Sequence, residues 1–259
     1  MEGREILVYL SIKYDGDWNK IITAIKEKES VDLKVAKEEV SKIKDKYITC
    51  LDDDYPRIFK EGMMSCLPLV LFYRGDLSLI TTDRKRLTVI GSRKYSRYGE
   101  KATRDLVSAL SDDIVIVSGL ATGIDAISME TALNSNKKVI GIIGGGFNKF
   151  YPPENKDLFE RIIKEGGLVL SEYPPDSPPT ENYFRLRNRL LAAASQATLV
   201  TEAKIISGTK ITVGFALQYG RNVGCVPYPY YTDSLCNVLI QQGANVILNK
   251  NDLEEMLWN

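Results

Sequence analysis

The sequence predicts an α/β fold: an extended Rossmann-like, mostly parallel sheet with helices on both faces, plus a small N-terminal helical module. Three observations carry this. Short apolar, β-branched runs recur at 87–91, 114–118, 138–143, 168–171, 197–202 and 222–226. Amphipathic stretches separate them near 99–110, 124–135, 155–165, 187–195, 209–219 and 233–242. Small, glycine-rich segments follow the strands. Continuous apolar runs suit strands covered on both faces, and right-handed crossovers put the intervening helices there.

Taken in order, residues 1–46 differ in texture from the rest. Ile21, Ile22 and Ile25 follow Trp18 at helical spacing, and Leu33, Ala36, Val40 and Ile43 repeat at intervals of three, four and three. Two amphipathic helices result, with Lys and Glu on their outer faces. These charges read as a solvated face before they read as a binding site. From Tyr47 the pattern changes: Tyr47–Leu51 is a short β-like run, and Leu67–Tyr73 is another, closed by Arg74-Gly75-Asp76. The strand–helix alternation then fills a second domain, 47–259. Its one proline-rich patch, Tyr173–Pro179, is too short for a linker and reads as a stiff loop.

Composition narrows the chemistry. The 259 residues are 44% hydrophobic and 26% charged, as in an ordinary soluble globular protein. Lys+Arg and Asp+Glu are 34 each, so net charge says nothing about partners. Histidine is absent, which excludes a Ser-His-Asp triad and an H-E-x-x-H zinc site. Cys50, Cys66, Cys225 and Cys236 are scattered without a C-x-x-C pair; no metal is expected, and the thiols suit a reducing compartment. Met1–Leu10 carries Glu2, Arg4 and Glu5 and lacks a signal-peptide core. With no apolar run near the roughly 20 residues a bilayer requires, a cytoplasmic protein without membrane contact is expected.

In open parallel sheets, ligands bind beyond the carboxyl ends of the strands. There this sequence places Gly91-Ser92-Arg93 and Tyr95–Gly99, then Ser118–Asp125, then Gly144-Gly145-Gly146 with Tyr151–Asn155, then Ser171–Pro175, then Glu202-Ala203 and Ser207-Gly208-Thr209. Glycine admits close backbone approach, and hydroxyl residues at helix starts offer donors to an anion. Singly, each glycine serves equally well as a tight turn; together the loops make a phosphate-binding edge. Gly141–Gly146 has P-loop glycine spacing but continues Phe147-Asn148, and Gly91-Ser92-Arg93 breaks the dinucleotide fingerprint, so neither a P-loop NTPase nor a nicotinamide dehydrogenase fits.

Charge is uneven. Arg84, Lys85, Arg86, Arg93, Lys94, Arg97, Lys101 and Arg104 face one acid, Glu100, within 84–104. Lys101 and Arg104 read as helix-surface charge, whereas Arg93 sits in a glycine loop where its planar fork suits phosphate oxygens. In FRLRNRLL, Arg187 and Arg189 are two apart and cannot share a helical face. One is expected at the ligand and the other on an acid such as Glu172 or Glu202. Tyr95, Tyr98, Tyr151 and Tyr173 share these loops, where they either pack or stack on bases.

The ordered runs GSRKYSRYG, SGLATGIDAISMETAL, GGGFNKFYPPEN, LSEYPPDSPP, FRLRNRLLAAAS and TEAKIISGT, flanked by YPRIFKE, LVLFYRGDL and CNVLIQQGANVI, resemble the DNA-processing protein A family (DprA, also called Smf) over about 200 residues. The resemblance implies a binding protein for single-stranded DNA of little sequence preference, without a catalytic centre or cofactor. It also implies loading of the RecA recombinase during natural transformation, and a homodimer. Carried over by motif, the DNA-facing residues are Gly91, Ser92, Arg93, Ser96, Gly99, Ser118, Gly119, Gly123, Asp125, Gly146, Tyr151, Pro152, Asn155, Lys156, Arg187, Asn188, Arg189, Glu202, Ser207 and Gly208. The acidic ones are expected to orient arginines and backbone. Cys236–Val246 resembles the self-association surface, with Ile240 and Val246 as apolar contacts, although a final helix packed on the sheet would read the same.

Departures are specific. Met129 stands where the family pattern carries histidine, Thr122 and Ser128 are unusual beside it, and Ala193 replaces a glycine of the RNR motif. With the sequence ending at Asn259, the winged-helix module of many relatives is expected to be absent. Two rivals remain. Nucleotide phosphoribohydrolases share the architecture, and Asp125 and Glu202 could act as acid and base on an N-glycosidic bond. Their P-G-G-x-G-T-x-x-E signature is missing, however, with Thr212 where its glutamate would fall. A protein-interaction scaffold with a decayed DNA site conflicts with the retained GSR and RNR motifs.

Overall fold

The computed structural model describes residues 2–63 and 65–258. Three helices come first: α1 (Glu2–Lys13), α2 (Trp18–Lys26) and α3 (Leu33–Ser41). Asp17 and Asp32 cap the second and third by accepting from Lys20 N and from Lys34 N and Val35 N. Their stripes bury Ile21 and Ala24, and Ala36 and Val40. The sequence reading expects two helices here; the structure has three. In α1, Leu7, Val8 and Leu10 are buried while Ile6, Tyr9 and Ile12 are partly buried against core residues. An apolar surface that runs most of the way round leaves no stripe for periodicity to find. Leu7 and Val8 belong to the same apolar cluster as Val70 and Phe72 of the sheet.

The remaining elements are β1 (Lys46–Thr49), α4 (Arg57–Gly62), β2 (Val70–Gly75), α5 (Ser78–Thr81), β3 (Arg86–Gly91), α6 (Arg97–Ala109), β4 (Val115–Ser118), α7 (Ile124–Asn134), β5 (Val139–Ile143), α8 (Lys156–Lys164), β6 (Leu168–Ser171), α9 (Glu181–Ala193), β7 (Ala197–Glu202), α10 (Thr209–Gln218), β8 (Asn222–Cys225), α11 (Leu235–Gln241), β9 (Asn245–Val246) and α12 (Lys250–Trp258). All nine strands form one sheet in the order β1-β2-β6-β5-β4-β3-β7-β8-β9. Strands β3 to β9 pair in parallel, while β2 runs antiparallel to both β1 and β6.

Successive strand residues feed opposite faces: Val89, Ile116 and Val169 join one apolar cluster, and Ile90, Val117 and Leu170 the other. Met129 is fully buried in the first, with its methyl near Gly141. It therefore acts as core, and a histidine's ring nitrogens are not replaced by another polar group at that position. Helix α9 begins at Glu181, earlier than the 187 read from sequence, because Thr180 caps it by accepting from Tyr183 N.

The strand order fixes where a ligand can sit. From β3 the chain proceeds outward through β4, β5 and β6, then returns to β7 on β3's other side. The helical crossovers diverge at this reversal, which opens a crevice beyond the carboxyl ends of β3 and β7.

Candidate nucleic-acid interface

The loop after β3 is set by contacts between backbones. A Cβ on Gly91 would lie 2.6 Å from Glu202 O and 2.7 Å from Ile124 Cγ1. Ser92 N donates to Glu202 O at 2.7 Å, and Ser92 O accepts from Ile124 N at 3.1 Å. Gly123, with φ +85°, lets the next loop press against Ser92; a Cβ there would lie 2.3 Å from Ser92 O. The Ser92 hydroxyl donates to Lys94 O and accepts from Lys94 N. This tight turn leaves Arg93 and Lys94 exposed.

Glu202 holds the far side of the same loop. Its carboxylate accepts from Ser96 N at 3.0 and 3.1 Å, from Ser96 Oγ at 2.8 Å and from Tyr228 OH at 3.2 Å. Ser96 Oγ in turn accepts from Gly99 N and caps α6. A Cβ on Gly99 would meet Glu202 Oε2 at 1.9 Å, so only glycine admits the carboxylate.

Beneath the crevice lie the buried charges. Arg187 is 4% exposed; its Nη1 donates to Gly119 O at 2.7 Å and to Ile142 O, and its Nε has no partner among the described residues. Asp125 accepts from Gly119 N at 3.1 Å. A Cβ on Gly119 would lie 2.2 Å from Arg187 Nη1 and 2.7 Å from Asp125 Oδ2, so this glycine admits both. Burial pushes the Asp125 carboxyl above its ordinary range, opposed by Arg187 and by loop amides. Burial likewise lowers the Arg187 guanidinium to about 10, which keeps it charged at neutral pH. Arg189 pairs with Glu172 at 2.6 Å, both buried. Both arginines of the RNR run are thus inside, and neither stands free in solvent. Arg187 forms part of the crevice floor, and Arg189 faces the opposite side of the helix.

Above them opens a groove of about 1060 Å³ at the β3/β7 reversal. Arg93, Lys94, Arg185 and Lys204 line it. Among the described residues none of these four pairs with a carboxylate. The acids on the wall are Glu181 and the buried Asp125. Tyr151, half-exposed, stands 6.0 Å from Phe184 and forms an aromatic side. Ile206 is 95% exposed at the rim, and the Ser207 hydroxyl is buried without a partner among the described residues.

The other sequence-predicted residues divide by place. Asn188, Ser207 and Gly208 line the groove, although a Cβ on Gly208 would meet nothing within 4 Å. Ser118, Gly146, Pro152 and Asn155 are buried supports. Ser118 Oγ donates to Val89 O, Asn155 Nδ2 donates to Leu120 O at 2.9 Å, and Gly146 packs on the Pro174 and Pro175 carbonyls. Pro152 borders a side pocket of about 180 Å³ shared with Arg93 and Tyr151. Lys156 is exposed at the start of α8, outside the groove lining. Of the two roles open to Tyr173 the structure has packing: at 1% exposure, stacked on Tyr183 at 3.9 Å, it cannot receive a base. Lys101 and Arg104 pair with Asp105 and Glu100 on the helix surface. Glu202 opens into a separate crevice with Ser96, Tyr98 and Tyr228, so Asp125 and Glu202 do not share a cavity. Ile240 is partly buried on α11, and Val246 is 44% exposed on β9, at the sheet's edge. Phe184, Lys204 and Ile206 were absent from the sequence selection. Lys204 lies inside the quoted TEAKIISGT run, and its place between a strand end and a glycine is the available signal.

Among the described residues no helix is long and apolar enough to cross a membrane, and no group of three or more Cys, Asp or Glu side chains is arranged to hold a metal.

A cationic, aromatic-walled groove thus stands at the topological reversal of a Rossmann-like sheet. Residues 46–257 match the model of the DNA recombination-mediator protein A family, and the chain belongs to that family. It is 39% identical over 206 residues to the DNA processing protein DprA of Streptococcus pneumoniae, covering 78% of this chain and 71% of that one. The Smf protein of Synechocystis is 39% identical over 212 residues, with 80% and 52% covered, so the match spans about half of that relative's length. DprA of Bacillus subtilis is 37% identical, with 73% and 64% covered. Among solved structures, the S. pneumoniae DprA superposes with TM-score 0.77 at 31% identity over 97% of this chain and 92% of that one. DNA processing protein A of Helicobacter pylori, a structure described for its single-stranded DNA binding mode, gives 0.73 at 28% identity over 83% and 97%.

Proposed function

We propose that the groove binds single-stranded DNA with little sequence preference. Four cations without carboxylate partners among the described residues, around a half-exposed aromatic wall, are the observation that carries this reading. Phosphates take the cations, and unstacked bases take Tyr151 and Phe184; a duplex, whose bases are already stacked, offers nothing to the second set. The single-strand binding mode of the H. pylori relative supports it. Gly91, Gly99, Gly119 and Gly123 act by shaping the loops, and Asp125, Glu172 and Glu202 by orienting Arg187, Arg189 and Ser96. The nucleotide-hydrolase reading loses its acid–base pair, because the two carboxylates open into different crevices.

The test is fluorescence anisotropy of labelled oligo-dT at several salt concentrations, beside Arg93→Ala. Binding that weakens with salt and with the substitution is expected; no binding at low salt overturns the reading. The cellular role we infer is DNA processing in competence and recombination, in the cytoplasm, with this protein placing RecA on the strand. Precoating a strand with it should shorten the lag of RecA's DNA-dependent ATP hydrolysis, and an unchanged lag overturns that step. We further infer a homodimer through α11 and β9. Val246→Lys should shift a sedimenting dimer to monomer; a wild-type chain that sediments as a monomer at high concentration overturns it.

A further inference from the structure

The segment after β8 reads Val226-Pro227-Tyr228-Pro229-Tyr230-Tyr231-Thr232-Asp233-Ser234. Its base is tied down. Tyr228 OH donates to Thr201 O at 3.0 Å and to Glu202, and Tyr228 N and O are held by the Asn237 side-chain amide at 2.9 Å each. Thr232 N closes the tip on Pro229 O at 2.9 Å. Tyr98, half-exposed, donates to Pro227 O at 3.1 Å and meets Tyr228 edge-on at 4.9 Å. On this stiff base two rings project into solvent: Tyr230 is 95% exposed and Tyr231 79%, in edge contact at 5.4 Å. Folding gains almost nothing from aromatic surface left in water, and a grouped aromatic surface on a braced loop marks a binding function.

We propose that Tyr98, Tyr230 and Tyr231 form a second stacking platform for unpaired nucleobases of a strand leaving the groove; this rests on the single-strand reading of that groove. Continuity favours a nucleic-acid occupant. The turn from Ser92 to Gly99 borders the groove on one side and, through Ser96 and Tyr98, a crevice of about 540 Å³ beneath the tyrosine loop on the other. Lys94 and Arg97 are exposed on this turn without carboxylate partners among the described residues, where phosphates bridging the two sites would pass. Of the acids nearby, Glu202 is engaged by Ser96 and Tyr228, and Asp233 lies beyond the tip, exposed. Stacking accepts any base, which suits a site that reads no sequence.

The experiment compares labelled oligo-dT of about 6 nucleotides, which fits the groove, with oligo-dT of about 20, which reaches past it. The double substitution Tyr230→Ala with Tyr231→Ala should weaken the long strand about tenfold and leave the short one unchanged. Phenylalanine at both positions should keep wild-type affinity, because the π-face remains. A long strand with abasic sites over its outer half should bind the wild type more weakly than an intact strand of the same length, and the alanine pair should not weaken it further. Equal long-strand affinity for wild type and the alanine pair, with Arg93→Ala still weakening both strands, overturns the platform and leaves the groove standing. An Arg93→Ala protein that binds both strands as tightly as the wild type overturns the groove reading, and the platform with it.

Discussion

Gly119 shows how much of this site is decided by single atoms. Its missing side chain is the space in which Arg187 Nη1 and Asp125 Oδ2 meet the loop, so Gly119→Ala must displace one of them. Overpacking of this kind costs about 1–3 kcal/mol, and thermal unfolding should show a Tm lower by several degrees together with weaker oligo-dT binding; an unshifted Tm would mean the loop relaxes freely. The Glu172–Arg189 pair makes a sharper case, since both partners are buried. Removing one leaves the other charge uncompensated, about 3–5 kcal/mol for Glu172→Ala. The double variant Glu172→Leu with Arg189→Met should recover much of that loss in denaturant unfolding, because replacing a buried pair by apolar groups is close to neutral. Asp125 ties stability to pH. Folding raises its pKa above 3.8, so its ionisation opposes folding: the advantage is full below the unfolded value and is lost as pH rises through the folded one. Denaturant unfolding from about pH 4 upward should therefore show the wild type losing ground to Asp125→Asn, whereas a pH-independent difference would place the folded pKa at the ordinary value.

The elements were legible where their apolar pattern is local. Strands β3 to β8 read as uninterrupted β-branched runs because each is covered on both faces, and the strand order then put the glycine loops at one edge. Helix α1 was missed because it is buried on several sides, and the start of α9 because its first turn is polar and follows a proline patch. The short β9 and the final α12 lie past the last periodic stretch. The loop motifs pointed to the carboxyl edge of the sheet, where the groove opens, and Arg93, Tyr151, Arg187 and Asn188 among the residues they selected line it. The two-residue spacing put Arg187 and Arg189 on different faces, one toward the ligand edge and one on an acid such as Glu172. Which arginine pairs with Glu172, and that the other ends on the Gly119 and Ile142 carbonyls, depends on contacts between distant strand ends that no spacing within FRLRNRLL encodes. Ser96 illustrates how an element transmits to the site. It caps α6 and anchors to Glu202 at once, so Ser96→Ala should cost about 1 kcal/mol for the cap, and it should also slacken the turn that aims Arg93 and Lys94. Oligo-dT affinity falling by more than the small Tm change explains is the expected result; a full loss of fold would assign Ser96 to the core instead.

At the scale of the molecule, 34 basic and 34 acidic residues cancel, so net charge supplies no attraction for DNA. Attraction must come from the groove, where Arg93, Lys94, Arg185 and Lys204 concentrate charge and, among the described residues, none is paired with a carboxylate. Each phosphate contact on a single strand contributes a slope of roughly −0.7 in log K against log salt, so four contacts give about −3. Arg93→Ala should reduce this to about −2 as one contact disappears, while the tyrosine substitutions at 230 and 231 should lower affinity at every salt concentration without altering the slope, since stacking releases few counterions. A slope much steeper than −3 for the wild type would instead mean that cations beyond the groove and the Ser92–Gly99 turn, Lys156 among them, also hold phosphates and that the strand follows a longer path across the carboxyl edge of the sheet.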